Sequence, residues 1–460
     1  MLQSYPSSIK QMNKKGKASE ARINAVKLLC EFNKNMKPLN LLLQDFWQDM
    51  RPDQKEQSFV SELIYGSVRW RIQSDWILGQ FVHGKLNEYP IEVREILRCS
   101  IYQLHHLKTI PGYAVLNEAF MLARYFRRIK YARLINGVLR NYLRNRHRIR
   151  FPGKEPDLIS WFSVNYAFPA WMVELLLQQY DSNTIEHILN SLNQRPRLTL
   201  RVNLKKIATY EYQQKISDKN IDFQPGKYLP EYLVLNNFKG SVKDLPGYYE
   251  GWFSVQDESA GFSAHCLMRT SPDKIVDVCA APGGKITHLA QLSDNNKTLF
   301  ALDQSFGRLG KVLDNLNRLG IQNVKVLQGD GTKLPLNECD AVLIDAPCSG
   351  LGVIRKNPDI KIRRNPIDVN NIQKLQSQLL KEADKVLKFG GILIYNTCTI
   401  NKNENQKMIE SFLLSNQHYS IEKMDDFGDL SGNYLNTVSE IDTMDGVFCV
   451  SLKKGKLNGK

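Results

Sequence analysis

The chain has 460 residues, room for about three domains of ordinary size, and 42% of them are hydrophobic, enough to build real cores. A formal net charge of +15 points to a polyanionic partner, nucleic acid before any other. No apolar run reaches the roughly 20 residues of a membrane span, and residues 1–17 are polar and basic without the apolar core of a secretory signal, so membrane and secreted classes are not expected.

Residues 1–17 read as a disordered basic leader. From there to residue 149 the apolar positions recur at helical spacing. Ile23, Val26, Leu29 and Cys30 form one face; Phe59, Leu63, Ile64 and Val68 form another; Ile96, Ile101, Leu104 and Leu107 continue the pattern. Pro90 and Ile110-Pro111-Gly112 break it. An all-α bundle over residues 18–150 is therefore predicted. Between Glu118 and Glu155 no acidic residue occurs, although the stretch is rich in arginine. A solvated helix face would interleave Glu at i+4, so this stretch reads as a phosphate-binding surface with salt-dependent affinity. Its candidate RNA contacts are Arg124, Arg127, Arg128, Lys130, Arg140 and Arg144.

Residues 151–156 read as a linker. Over 157–255, helical patterns are followed by an alternating strand at 198–203 and a short one at 232–235, which gives a small α+β module. Arg195, Arg197, Arg201 and Lys205 lie near its first strand, as in an RNA-binding sheet, although the aromatic signature of an RRM is absent.

The remainder, 256–460, alternates short apolar runs with helical patterns and is predicted to be an α/β, Rossmann-like domain with a parallel sheet. Its strands are expected at 274–279, 298–302, 324–327, 341–344 and 391–395. Leu309, Val312, Leu313 and Leu316 mark a helix closed by Gly320. Residues 405–414 read as a helix and 446–452 as a last edge strand. Each of the five strands ends on residues capable of chemistry, and ligands of such sheets bind outside those carboxyl ends.

The first strand runs into Cys279-Ala280-Ala281-Pro282-Gly283-Gly284-Lys285, which is neither a Walker A loop nor GxGxxG. Asp303 lies 20 residues beyond Gly283, where a carboxylate can accept from ribose hydroxyls, and Asp330 could accept from an adenine amino group. An adenosine ligand without phosphates suits this set, and S-adenosylmethionine is the common one.

The eight cysteines include no CxxC pair and the eight histidines no HxxxH pattern, so no metal centre is expected, and the reduced cytoplasm is the expected compartment. Cys30, Cys99 and Cys449 read as core residues. Cys348 and Cys398 differ, because each directly follows a strand in the same crevice. Cytosine carbon 5 becomes nucleophilic only when a thiolate adds at carbon 6, and two strand-end thiols beside a donor pocket suit that chemistry. Asp345, three residues before Cys348, can be placed near ring nitrogen 3 as an acid/base group. Chemistry alone does not rank the two thiols.

Asp277-Val-Cys-Ala-Ala-Pro-Gly-Gly-Lys285, Asp345-Ala-Pro-Cys-Ser-Gly-Leu-Gly352 and Asn396-Thr-Cys-Thr399 resemble the motifs of the Sun/Fmu (NOL1/NOP2/Sun) RNA 5-methylcytosine methyltransferases. Ile110-Pro-Gly-Tyr-Ala-Val-Leu-Asn117 and Leu134-Ile-Asn-Gly-Val-Leu-Arg140 resemble a NusB-like RNA-binding domain, and the combination is similar to the RsmB-type enzymes of bacterial 16S ribosomal RNA. The resemblance implies that Cys279 to Lys285, Asp303, Asp330 and Asp345 line the S-adenosylmethionine site. It also implies that Cys398 is the nucleophile and that Cys348 assists proton removal and product release. The partner it implies is 16S ribosomal RNA in an unassembled or partly assembled small subunit, with the protein a monomer. A transfer-RNA cytosine methyltransferase and a non-catalytic RNA-binding factor are the competing readings.

Overall fold

The structure, a computed structural model, describes residues 18–50, 53–293, 296–441 and 443–456; the expected leader, 1–17, lies outside the described residues. The chain forms two compact units. One comprises the residues up to Leu175 together with Asn357–Arg363, the other Leu176–Lys356 and the residues from Arg364 onward.

The first unit is helical: α1 (Glu20–Asn35), α2 (Leu39–Met50), α3 (Gln54–Arg69), α4 (Arg71–Gly79), α5 (Ile91–His106), α6 (Gly112–Tyr125), α7 (Ala132–Asn145), α8 (Leu158–Tyr166) and α9 (Ala170–Leu177), in which it ends. Pro90 and Pro111 stand just before α5 and α6, where no helical N–H is needed. Ile23, Val26, Leu29, Cys30, Leu63, Ile64, Val68, Ile96, Cys99 and Ile101 are all buried in two apolar clusters. The segment Asn357–Arg363 completes this unit. Ile362 packs against the cluster built on α1 to α3, and the buried Lys361 places Nζ 3.2 Å from the Arg69 carbonyl and 3.7 Å from the centre of the Phe168 ring.

In the second unit α10 (Ser182–Leu192) leads to β1 (Leu198–Val202), α11 (Thr209–Ser217), β2 (Phe223–Pro225), β3 (Tyr232–Leu235) and β4 (Phe253–Val255). The four strands pair antiparallel in the order β2-β3-β1-β4. The sequence pattern anticipates β1 and β3. It misses β2 and β4, which at three residues each are too short to alternate visibly.

After α12 (Phe262–Met268) comes the large sheet. Its elements are β5 (Lys274–Asp277), α13 (Gly284–Leu292), β6 (Thr298–Asp303), α14 (Phe306–Leu319), β7 (Val324–Gln328), β8 (Cys339–Asp345), α15 (Pro366–Val386), β9 (Leu387–Thr397), α16 (Gln406–Ser415), β10 (Tyr419–Glu422), β11 (Leu435–Asn436) and β12 (Phe448–Lys454). The order is β10-β12-β9-β8-β5-β6-β7, with β11 paired to β12 off that path. Strands β5 to β9 run parallel, as expected, and β12 and β10 are added antiparallel. The strand expected at 446–452 is not an edge: β12 lies between β9 and β10 with both faces covered, and β10 takes the edge.

Successive strand residues feed two cores. Ile275, Ala341, Leu343, Ile392 and Ile394 pack with α12, α13 and α14; Val276, Val342, Ile344, Leu393 and Tyr395 pack with α15 and α16. In α14, Leu309, Val312 and Leu316 are buried but Leu313 is exposed, so that helix meets the sheet along a narrower stripe than its spacing suggests. Strand order turns at β5, which places the switch-point crevice at the carboxyl ends of β5 and β8.

Candidate active site

The loop after β5 is fixed by its neighbours on every side. The Ala280 amide donates to the Leu302 carbonyl at 2.9 Å, and the Gly283 amide to Ala280 at 2.7 Å. Gly283 has φ 105, a left-handed conformation, and a Cβ there would stand 3.3 Å from the Val312 backbone; glycine meets both demands. From β6, Asp303 accepts the Ala281 amide at 3.2 Å and the Ser305 amide at 3.0 Å. From α14, Arg308 donates to the Ala281 carbonyl at 2.6 Å, and Asn315 to the Pro282 carbonyl at 3.0 Å. The predicted ribose acceptor thus also ties the loop together. Asp330 is exposed and accepts from the amide and hydroxyl of Thr332, which hold its carboxyl below the ordinary range.

The two predicted thiols meet: Sγ of Cys348 and Sγ of Cys398 are 3.2 Å apart. They stand just beyond adjacent parallel strands, where Asp345 of β8 is in register with Asn396 of β9. The Cys398 partner, followed by burial, raises the Cys348 thiol well above its usual range, so Cys348 keeps its proton at neutral pH. Cys279 is half-buried, and burial together with Asp277 raises its thiol too, which makes it a loop constituent rather than a nucleophile.

Asp345 faces the same space. Its carboxylate lies 2.7 Å from Nζ of Lys285 and accepts from Asn396 Nδ2 at 2.9 Å. Burial opposes the Lys285 charge, but Asp345 overcomes that, and charge on Cys398 and Asp277 adds to it. Asp277 is completely buried and has no side-chain hydrogen-bond partner among the described residues, its one polar neighbour being the Cys279 amide. Burial, reinforced by Asp345, pushes its carboxyl up to about 8.

Sequence reasoning missed the scaffold beneath the thiols. Glu404, wholly buried, accepts from the Ser349 amide at 2.8 Å, Asn401 Nδ2 at 3.0 Å and Gln376 Nε2 at 3.2 Å. Gln376 also donates to the Pro347 carbonyl at 2.9 Å, and Ser349 and Thr399 join hydroxyls at 2.7 Å. The loops carrying Cys348 and Cys398 are therefore bound to one carboxylate. The only signal for this is the polar run from Asn401 to Asn405, which reads as an ordinary loop until its burial is known. Gly352 adds a backbone crossing: its amide donates to Cys398 O, its carbonyl accepts from Gly446, and a Cβ would come within 1.8 Å of Gly446 O.

In the helical unit, Arg124, Arg127, Lys130, Arg140 and Arg144 are exposed. Arg128 differs, since its guanidinium forks onto Glu92 at 3.0 and 3.1 Å. Arg201, expected near an RNA-facing strand, is fully buried because it points from β1 into the interior. Glu231, His265 and His288 form the one cluster of metal-ligating type among the described residues, with Glu231 Oε1 at 2.7 Å from His265 Nε2 and 3.1 Å from His288 Nε2. These are hydrogen-bond distances. Burial holds His288 neutral, with Nδ1 unpartnered; a metal at Nε2 would place the ring proton on Nδ1 as a buried orphan donor, costing roughly 1–3 kcal/mol. Both imidazoles thus donate to the carboxylate. Among the described residues, no helix is long and apolar enough to cross a membrane.

Residues 264–453 match the 16S rRNA methyltransferase RsmB/F family, 19–144 the NusB family, and 168–242 an RsmF/B-like, ferredoxin-like domain. The chain is 34% identical over 412 residues to a probable ribosomal RNA small subunit methyltransferase B of Synechocystis, covering 87% of this chain and 91% of that protein. The crystal structure of PH0851 superposes with a TM-score of 0.77 at 24% identity, covering 95% of this chain and all of the other. NSun6 from Pyrococcus horikoshii, solved with SFG, superposes with a TM-score of 0.57 at 23% identity over 64% of this chain and all of the other.

Proposed function

Because the chain belongs to the RsmB/F family of 16S rRNA methyltransferases, whose methyl donor is S-adenosylmethionine, we propose that it methylates carbon 5 of one cytosine in 16S ribosomal RNA through a covalent adduct on Cys398. The observation that carries this reading is the 3.2 Å approach of Cys348 and Cys398 at the open end of the sheet, beside the Asp345–Lys285 pair.

The loop from Cys279 to Lys285 fits the donor. Its left-handed Gly283 lets backbone approach closely, and the buried carboxyl of Asp277, just before the loop, has no side-chain partner. Cys279 to Lys285, Asp303, Asp330 and Asp345 would hold S-adenosylmethionine, which when bound supplies an electrophilic methyl group. The chain's own groups do the rest. The thiolate Sγ of Cys398 bonds to carbon 6, and the electron pair of the 5,6 double bond shifts to carbon 5, which can then take up a methyl group. Asp345 would face ring nitrogen 3 and lend it a proton against the negative charge that develops there, taking the proton back when the adduct breaks. Loss of the carbon 5 proton to water returns an electron pair to the ring and breaks the S–C6 bond, releasing Cys398 as thiolate. Cys348, held protonated 3.2 Å from Cys398, donates its S–H to the departing thiolate and so assists release. The target cytosine has to be unpaired or flipped out, which costs about a few kcal/mol from a duplex.

Two variants test the assignment. Cys398→Ala is expected to abolish turnover and every covalent RNA complex. Cys348→Ala is expected to leave enzyme trapped on RNA as a denaturation-resistant band; the opposite pattern would exchange the two roles. Bisulfite mapping of total RNA with and without the protein identifies the target, and protection of a transfer-RNA cytosine alone would overturn the 16S assignment.

A further inference from the structure

One heavily bonded side chain in the interior of the second unit belongs to neither the thiol pair nor the cofactor loop. Arg201 sits on the central strand β1 of the small sheet and is completely buried. Its guanidinium uses all three nitrogens on the helix that opens with the cofactor loop and on the residues packed against it. Nη1 donates to the Gly284 carbonyl at 2.8 Å, Nη2 to Thr287 Oγ1 at 3.0 Å and Nε to Gln291 Oε1 at 3.1 Å, and Nη1 also contacts Gln256 Oε1. Gln256 is fixed in turn by the Tyr232 hydroxyl at 2.9 Å. One residue before β3, Glu231 holds the same helix through His288 at 3.1 Å. On the buried polar face of α13, Thr287 Oγ1, His288 Nε2 and Gln291 Oε1 are therefore each met from the small sheet and the residue that precedes β3.

A guanidinium without a carboxylate bonded to it is an expensive way to fill an interior, since its charge loses its water and an apolar side chain of like volume would pack at less cost. What a planar fork supplies and an apolar side chain does not is direction: donors on three nitrogens fix both the axial position of a helix and its rotation about its own axis. Here that helix begins at Gly284 and carries Lys285, whose ammonium reaches Asp345 beside the thiols. We propose that Arg201 is a positioning residue for the methyl-donor site, a peg from the small sheet that presets the first turn of α13 and the aim of Lys285. On this view the small module is part of the machinery that shapes the donor pocket. The proposal rests on the reading that the loop from Cys279 to Lys285 takes S-adenosylmethionine.

The test is a split of kinetic constants. In Arg201→Met, the KM for S-adenosylmethionine and the Kd for S-adenosylhomocysteine are expected to rise by about ten- to a hundredfold, the scale of one lost charge-assisted hydrogen bond. The KM for a 16S transcript should stay unchanged, and kcat at saturating donor should stay within a few-fold. Arg201→Lys, a point donor without the fork, should fall between. A merely structural residue would instead lower the active fraction and leave both KM values alone, which would overturn the proposal. If Arg201→Met does not fold, Thr287→Val decides: at constant shape it removes the bond from Arg201 and the hydroxyl's own bond to the Gly284 carbonyl at 3.1 Å, and is expected to raise only the donor KM, by a few-fold, and an unchanged donor KM would overturn the proposal. Wild-type protein that fails to bind S-adenosylhomocysteine by calorimetry would instead sink the assignment of the loop, and the proposal with it.

Discussion

At the scale of single residues, the site brings together three ionisable groups in different states. Lys285 is charged, Cys348 is protonated, and Asp277 carries its proton until the solution is mildly alkaline. Asp277 makes the clearest pH prediction. A carboxyl raised to about 8 in the folded chain and near 4 when unfolded means that the folded state binds the extra proton between those values. Stability contributed by this residue is thus full below about pH 4, is lost as pH rises towards 8, and changes no further above, with a slope approaching about 1.4 kcal/mol per pH unit in between. Asp277→Asn should remove that slope, read as the difference between variant and wild-type urea midpoints from pH 5 to 8. Equal slopes would mean that the carboxyl is ionised at neutral pH. The sequence shows both thiols, since each follows a strand, and their resemblance to known motifs orders them. It does not show Glu404, because burial of a carboxylate is a property of the packed loops and no local pattern encodes it.

At the scale of elements, the parallel strands and the helices between them follow their periodicity closely, and the departures have physical causes. Strands of three residues leave no alternation to read. The 446–452 run looks like an edge because nothing in it announces the later pairing with β10, and pairing is decided between segments rather than within one. The crossing of Gly352 and Gly446 is likewise invisible before folding. Gly352→Ala places a methyl group against the Gly446 carbonyl, so the two backbones have to separate and carry the amide bond to Cys398 with them. Turnover is expected to fall by at least about a hundredfold, the scale at which about 1 Å of misplacement acts, while donor binding is retained. Calorimetry with S-adenosylhomocysteine beside a methylation assay checks this; near-normal turnover would show that the crossing yields without disturbing Cys398.

At the scale of the whole molecule, the positive charge is concentrated usefully. Arg124, Arg127, Arg140 and Arg144 are exposed, whereas Arg128 is neutralised by Glu92, a partner that lies outside the acid-free stretch and that only the fold reveals. Each phosphate contact on single-stranded RNA contributes about 0.7 to the slope of log affinity against log salt. Replacing Arg140 and Arg144 by Gln should weaken RNA binding and lower that slope by about 1 to 1.5, whereas Arg128→Gln should leave it nearly unchanged. Filter binding across a salt series distinguishes the two, and equal effects would show that Glu92 releases Arg128 to the RNA.

The excursion of Asn357–Arg363 into the helical unit bears on how the chain is made. The bundle's last contiguous residue, Leu175, leaves the ribosome long before Ile362 and Lys361 exist. At about 5–20 residues per second the intervening stretch takes roughly ten to forty seconds to synthesise. During that interval the nascent bundle has to persist with an open slot beside Phe168 and Arg69. A polypeptide ending at residue 175 should therefore melt lower than the same stretch supplied with a peptide of residues 357–363, and the early protein is a natural client for chaperones until its own later sequence arrives to finish it.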